Sequence, residues 1–307
     1  MVRVSSFGQQ TVLLRGIMDN QLQVFEGQRQ ISSGKKFNDY QGLAGQTNTV
    51  LGSRSFQSRV ESYQQSIDTI RGKLDANDVQ LSGIIDAMET LKGSVQSSLA
   101  NNQAEGFSEL LDQTFSFISN GLNTNFDGTY LFSGAETGTI PVNVTELSDL
   151  AALGSVSDAF DNAAIAFEAR IADGVDLEFG LLANDVGEGV FQEMLDLYNL
   201  DQGANGPFQG ELTGTQFSLL QSQLASLETA IDGLRQVQVS NGLAFERLEV
   251  VDEQHADTVV FLETFIADIE DVDIAEAVTR LNNDQVALEA SYRAVGSLSQ
   301  LSLLRFI

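Results

Sequence analysis

The chain of 307 residues has no cysteine, no tryptophan, one histidine and two prolines. Without cysteine there is no disulfide, no thiolate nucleophile and no sulfur-based zinc site, and the single imidazole of His255 cannot supply a two-histidine metal set. Basic residues are also scarce, 16 against 43 acids, and they nearly vanish between positions 93 and 234, where Arg170 stands among 21 carboxylates. That stretch holds −20 of the net −27, whereas residues 1–92 carry +1 and residues 235–307 carry −8. An acidic surface repels phosphate backbones, so nucleic acid is not expected as a partner, and the segment reads as a solvated outer face. Long apolar runs are missing too. Near the start the longest is Val12-Leu13-Leu14, far short of a secretory signal, and none is long enough to span a bilayer. The expectation is a soluble chain with no cleaved signal and no membrane insertion.

What is present is periodicity. Val60, Tyr63, Ile67, Ile70, Leu74, Asn77, Leu81, Ile84, Met88, Leu91 and Val95 follow one another in alternating steps of three and four, the spacing of a coiled-coil seam with Asn77 as its polar layer. A second seam runs from Phe217 through Leu220, Leu224, Leu227, Ile231, Leu234, Val237, Asn241, Ala244, Leu248, Val251, His255, Thr258, Leu262, Phe265 and Ile269 to Val272. Its consecutive threes at Ile231, Leu234 and Val237 predict a local overwinding. The pattern then restarts at Ile274, two residues after Val272, and Asp273 with Glu276 predicts a new helix cap there. At the other end Ser6 and Gln9 predict a cap ahead of an apolar-faced helix that Gly34 interrupts.

Both chain ends therefore read as amphipathic helices too short to bury their apolar faces alone. Packing them on each other would set the stretches around Gly34 and Asp271 side by side. The closing residues Ser299–Ile307, apolar at five of the last seven positions, need a surface to cover them. Between the seams, Phe107–Leu122 predicts a further helix, the Asp173-Gly174 pair predicts a hairpin, and short helices are expected near 145–163 and 187–199.

Three motifs invite chemistry and fail on inspection. Ser32-Ser33-Gly34-Lys35-Lys36 lacks a phosphate loop's first glycine, with Arg29 in its place, and has Lys36 where Ser or Thr is needed. Asn123–Gly128 starts like a calcium loop, but the twelfth position is Gly134 and not a bidentate Glu, so a polar turn is the better reading. Glu270, Asp271 and Asp273 could in principle form an acid/base pair, yet they sit at the helix break with no nucleophile beside them. His255 lies on the seam, where a hydrogen-bonded core role is expected. No catalytic residue, metal ligand or cofactor site is assigned, and an enzyme is not expected.

Several stretches carry a family resemblance. Gln28–Lys36 resembles the segment ending the first helix of bacterial flagellin-family proteins, and Gly128-Thr129-Tyr130-Leu131-Phe132-Ser133-Gly134 is similar to a stretch of the hook-filament junction branch. Ile269–Ala277 resembles the segment before that family's last helix, the ending LSLLRFI is similar to its apolar C-termini, and Phe37–Gly42 departs from the junction branch's proline-bounded loop. The resemblance implies a mainly α, elongated helical coiled-coil bundle with paired N- and C-terminal helices and a small α+β middle domain. It divides the chain into a terminal assembly module (1–40 with 268–307), a helical rod body (41–135 with 206–267) and a small acidic variable domain (136–205). It implies an exported, extracellular structural component of the flagellum at the hook-filament junction, a homo-oligomer meeting a hook-side adaptor and flagellin and served by an export chaperone. A filament-forming flagellin is the alternative, and a cytoplasmic coiled-coil scaffold the reading outside the family. The expected assembly interface is Leu13, Leu14, Ile17, Met18, Phe25, Ile31, Leu281, Leu288, Tyr292, Val295, Leu298, Leu301 and Leu304, with a hinge at Gly34, Asp271 and Asp273.

Overall fold

The computed structural model describes residues 5–37 and 39–303. It is mainly α, with helices α1 (Ser5–Ser33), α2 (Thr47–Asn101), α3 (Phe107–Leu122), α4 (Leu147–Ala152), α5 (Ala183–Gln202), α6 (Gly214–Glu270) and α7 (Ile274–Leu303). The strands form two antiparallel hairpins, β1 (Asn125–Phe126) with β2 (Thr129–Tyr130) and β3 (Glu168–Ala172) with β4 (Val175–Glu178). The chain divides into two compact units, residues 1–59 with 258–307 and residues 60–257.

In the second unit α2 and α6 run antiparallel along the two predicted seams. From Val60 to Val95 the seam residues are buried save the partly covered Tyr63. Asn77 faces Asn241 across the seam, its amide donating at 3.4 Å, and Asn241 in turn donates to the Leu74 carbonyl at 2.9 Å. The two amides meet in only one register, which opposes sliding of one helix along the other, although Asn77 Oδ1 itself has no partner. Outside it Arg71 pairs with Asp252 at 2.8 Å and Arg235 with Glu89 at 2.6 Å. The stretch Ile231–Val237, where the spacing predicts overwinding, lies inside an unbroken α6.

Helix α6 opens on a reciprocal cap absent from the sequence reading: Gln216 Oε1 accepts from the Thr213 amide at 2.9 Å and Thr213 Oγ1 accepts from the Gln216 amide at 3.3 Å. The core of this unit is aromatic. Phe107, Phe115, Phe132, Phe191 and Phe208 are all fully buried, and Phe191 lies 4.8 Å from the Phe115 ring and 5.1 Å from that of Phe160. Asp201, only 2% exposed, accepts from Ser108 Oγ, Gln202 Nε2 and the Phe208 amide, which pins the loop after α5.

The expected helix near 187–199 is α5, longer at both ends, and the one near 145–163 shrinks to α4 and a 3-10 turn at Val156–Ala159. Gly154 and the extended backbone at Leu153 and Ser155 divide them. Asn123–Gly128 becomes the end of α3 and a tight turn whose Asp127 and Gly128 have φ of 50° and 77°, the pairing a two-residue hairpin demands. The Asp173-Gly174 hairpin forms as expected and packs Ile171, Leu177 and Phe179 onto Ile67, Ile70, Leu74 and Leu248. His255 and Tyr63 dock its turn: a His255 ring nitrogen meets the Ile171 carbonyl at 2.6 Å, the Tyr63 ring stacks on the imidazole, and Tyr63 donates to Asp173 at 2.8 Å.

The first unit pairs α1 with α7. Its α6 portion corrects the predicted seam: Phe265 is 36% exposed and stacks on Phe261, while the neighbouring Ile266 is buried against Leu43 and Val50. The apolar segment leading into α2 draws α6 round by one residue, which a periodicity reading of α6 alone could not anticipate. Where the family resemblance broke down, Phe37 covers Gly42 so closely that a Cβ there would stand 2.5 Å from its ring, and Asp39 Oδ1 accepts from the Gly42 amide at 2.9 Å.

Candidate functional site: the paired terminal helices

Antiparallel pairing of α1 and α7 follows from one stripe on each. On α1 the inward stripe is Leu13, Ile17, Asn20, Val24, Gly27 and Ile31, with Ile17 and Gly27 buried and the others partly covered. It meets Leu281, Leu288, Ser291 and Val295 of α7, all partly covered. Gly27 permits the approach, since a Cβ there would sit 3.3 Å from the Leu281 side chain. Asn20 donates to Ser291 at 3.0 Å and Gln21 donates to the Tyr292 hydroxyl at 2.6 Å, fixing the register.

A second stripe on α1 has no such cover. Leu14, Met18, Leu22 and Phe25, spaced four, four and three, are 55, 63, 58 and 62% exposed. At 100° per residue these positions fall within an 80° arc, roughly a third of a turn away from the arc of the inward stripe. Most surface apolar residues are scattered singly, whereas this row is contiguous.

The expected interface residues therefore separate into two sets. Leu13, Ile17, Ile31, Leu281, Leu288 and Val295 belong to the α1–α7 contact, while Leu14, Met18 and Phe25 face outward and Tyr292 is 48% exposed with its hydroxyl engaged. The side chains of Leu298 and Leu301, the whole of Leu304 and the side chains of the expected Ser6 and Gln9 cap lie outside the described residues. Leu22 was missing from the expected set, although its three-four relation to Leu14, Met18 and Phe25 is readable from the sequence.

Where α1 ends and α7 begins, the two chain segments are stitched together. Gly34, with φ of 72°, lets the backbone turn out of α1. Its carbonyl accepts from the Val272 amide at 2.9 Å, the Lys36 amide donates to the Glu270 carbonyl at 2.6 Å, and Lys35 and Asp271 form an antiparallel bridge. Asp273 caps α7, its Oδ1 accepting from the Ala275 and Glu276 amides at 2.9 and 3.2 Å.

Side-chain charges reinforce the junction. Glu270 is 7% exposed and receives Arg54 on both carboxylate oxygens at 2.9 and 2.8 Å and Lys35 at 3.2 Å, while Lys35 also reaches Asp271 at 2.6 Å. The Asp271 carboxylate, with Glu270 behind it, holds the Lys35 ammonium above the ordinary lysine range. Arg54 has no local sequence signal: it lies on α2, 216 residues away from its partner. These carboxylates are consumed by ion pairs and a helix cap, and no group of three or more His, Asp or Glu side chains is placed to hold a metal among the described residues.

Residues 224–307, from within α6 through α7, match the family model described as the bacterial flagellin C-terminal helical region. The C-terminal part of the chain is similar to that of bacterial flagellins. Solved structures that share the fold include the following two. One, named as a flagellar hook-associated protein from Vibrio parahaemolyticus, is 14% identical at a TM-score of 0.58, covering 72% of this chain and 96% of that one. The other, FlgL of Bacillus cereus, is 13% identical at a TM-score of 0.55, covering 70% of this chain and 98% of that one. No curated protein matches the sequence. The flagellin-type region thus supplies one partner of the terminal pair, α7, together with the Glu270–Asp273 break that positions it.

Proposed function

We propose that this protein is a structural subunit of the bacterial flagellum that joins hook to filament by polymerising through its terminal helices. The observation that carries the reading is the two-faced α1: one stripe is satisfied by the flagellin-type α7, and Leu14, Met18, Leu22 and Phe25 remain outward for neighbouring subunits. A row of exposed apolar side chains weakens solubility in a lone chain and drives association in an assembly. The segment around Gly34 and Asp271 then acts as the hinge between this module and the rest of the chain. The mechanism is coupled folding and assembly, in which terminal helices that bury little by themselves order fully only among copies. The naming of one structural relative as a flagellar hook-associated protein supports the junction role over a filament subunit.

Immunogold electron microscopy of whole flagella, with antibody to the acidic segment 140–205, tests the placement. Label restricted to a narrow zone between hook and filament is the expected result. Label along the filament would make the protein a flagellin, and absence of label from flagella would overturn both readings in favour of a scaffold elsewhere.

A further inference from the structure

Away from the terminal helices, α5 and α6 line an open groove of about 670 Å³. Its wall on α6 runs from Ser226 to Ser240, roughly 21 Å at the helical rise. Gly189, Ala230 and Gly233 keep the walls low, and at Gly233 no atom stands within 4 Å of where a Cβ would be. Among these small residues lies Glu193, which is 5% exposed and whose Oε1 has no hydrogen-bond partner.

A buried carboxylate oxygen without a donor is costly, and native structures seldom leave one unless something is meant to reach it. Burial, with Asp196 nearby, pushes the Glu193 carboxyl up to about 7. No lysine or arginine lines the groove, and the neighbouring Lys92 is engaged by Glu228 and Arg235 by Glu89 and Asp232. The other polar groups of the groove add acceptors. Thr229 and Ser240 give their hydroxyl protons to the carbonyls of Ala225 and Gln236, and Gln192 spends an amide donor on Asp196. Ser226, Gln236 and the second N–H of Gln192 leave some donors on the groove, but its charged side chains, Asp185 and Glu193, are both acids, within the segment that carries the chain's acidic excess.

We propose that this groove binds a basic segment of another protein chain and receives a lysine or arginine side chain at Glu193. The length favours an extended or helical segment over a compact amine, and the small residues let its backbone lie close. An unpaired carboxylate in a groove lined by no lysine or arginine selects an ammonium or guanidinium over a neutral amide.

Fluorescence anisotropy of a fluorescein-labelled 15-residue lysine/alanine peptide with the full-length protein at near-physiological salt tests this. Glu193→Gln should weaken binding at least about tenfold, the scale of one charge-assisted contact. Gly233→Leu, whose side chain enters the open groove, should do the same, with circular dichroism unchanged in both. Glu178→Gln, an exposed position on strand β4, should leave affinity unaltered. Loss of equal size with Glu178→Gln would reduce the effect to general attraction by an acidic surface, and no saturable binding would exclude the site. Displacement of the peptide by spermidine at concentrations comparable to the peptide's own would make it a small-amine site and overturn the proposed occupant.

Discussion

The two compact units solve the same problem, burying the apolar faces of long helices, to different depths. Residues 60–257 fill the space between α2, α3, α5 and α6 with five fully buried phenylalanines, and the β3–β4 hairpin covers a second cluster on Ile67, Ile70, Leu74 and Leu248. In the other unit the buried apolar side chains of the described residues are few, chiefly Ile17 on α1 and Leu43, Val50, Leu262 and Ile266 around the α2 and α6 ends. Its joints are made by ion pairs and backbone bonds at Gly34–Lys36 and Glu270–Asp273. The larger unit has the fuller core, although Val239, Leu243 and Val250 of α6 are exposed on it too; in the terminal unit the exposed row on α1 is the feature the proposed assembly uses.

The largest expected effect lies in the filled unit. Phe191→Ala removes a ring that touches Phe115 and Phe160 in a dry core, and should cost about 3–5 kcal/mol in urea denaturation. A cost as small as a surface substitution would mean that this core is not close-packed and would collapse the contrast.

Glu193 gives a pH-dependent test within the same unit. Its folded-state pKa is raised to about 7 from an ordinary 4.5, so the fold prefers the protonated acid. The stability is full below about 4.5, declines between about 4.5 and 7, and stays lower above that. Glu193→Gln should therefore stabilise the protein by about 3 kcal/mol at pH 8 and by only about 1 at pH 5, since each pK unit is worth about 1.4 kcal/mol. An equal gain at both pH values would show that the carboxyl is not perturbed in the fold.

A smaller effect is expected in the terminal unit. Arg54→Ala leaves the buried Glu270 to Lys35 alone, and because Arg54 is itself half-exposed the cost should be about 1 kcal/mol. Hydrogen exchange should speed up at the Lys36 and Val272 amides, which hold the joint, while the amides of α3 and α5 keep their protection. Uniform acceleration would show that the two units unfold together.

Much of this was legible in advance because a three-four spacing has few meanings. The seams on α2 and α6, the break before Ile274 and the hairpin at Asp173-Gly174 all follow from local pattern. The limits of pattern show at three sites. Ile266 displaces Phe265 from the seam because the segment at Leu43 and Val50 draws the helix round, Arg54 finds Glu270 across 216 residues, and Glu193 reads on paper like one more surface acid of an acidic helix. The interface list was legible as a set of apolar residues but not as two faces, because assigning Ile17 inward and Met18 outward requires knowing where α7 lies.

The most direct test of the account places Met18→Asp and Phe25→Asp together in the full chain, expressed in cells lacking the native copy. Both side chains lie outside the α1–α7 contact, so circular dichroism and urea midpoint should match the unaltered protein, as surface substitutions do to within about 0.5 kcal/mol. The doubly substituted protein should be missing from purified flagella while the unaltered chain is retained. Equal incorporation of the two proteins would contradict the claim that this stripe is the surface through which the subunit assembles.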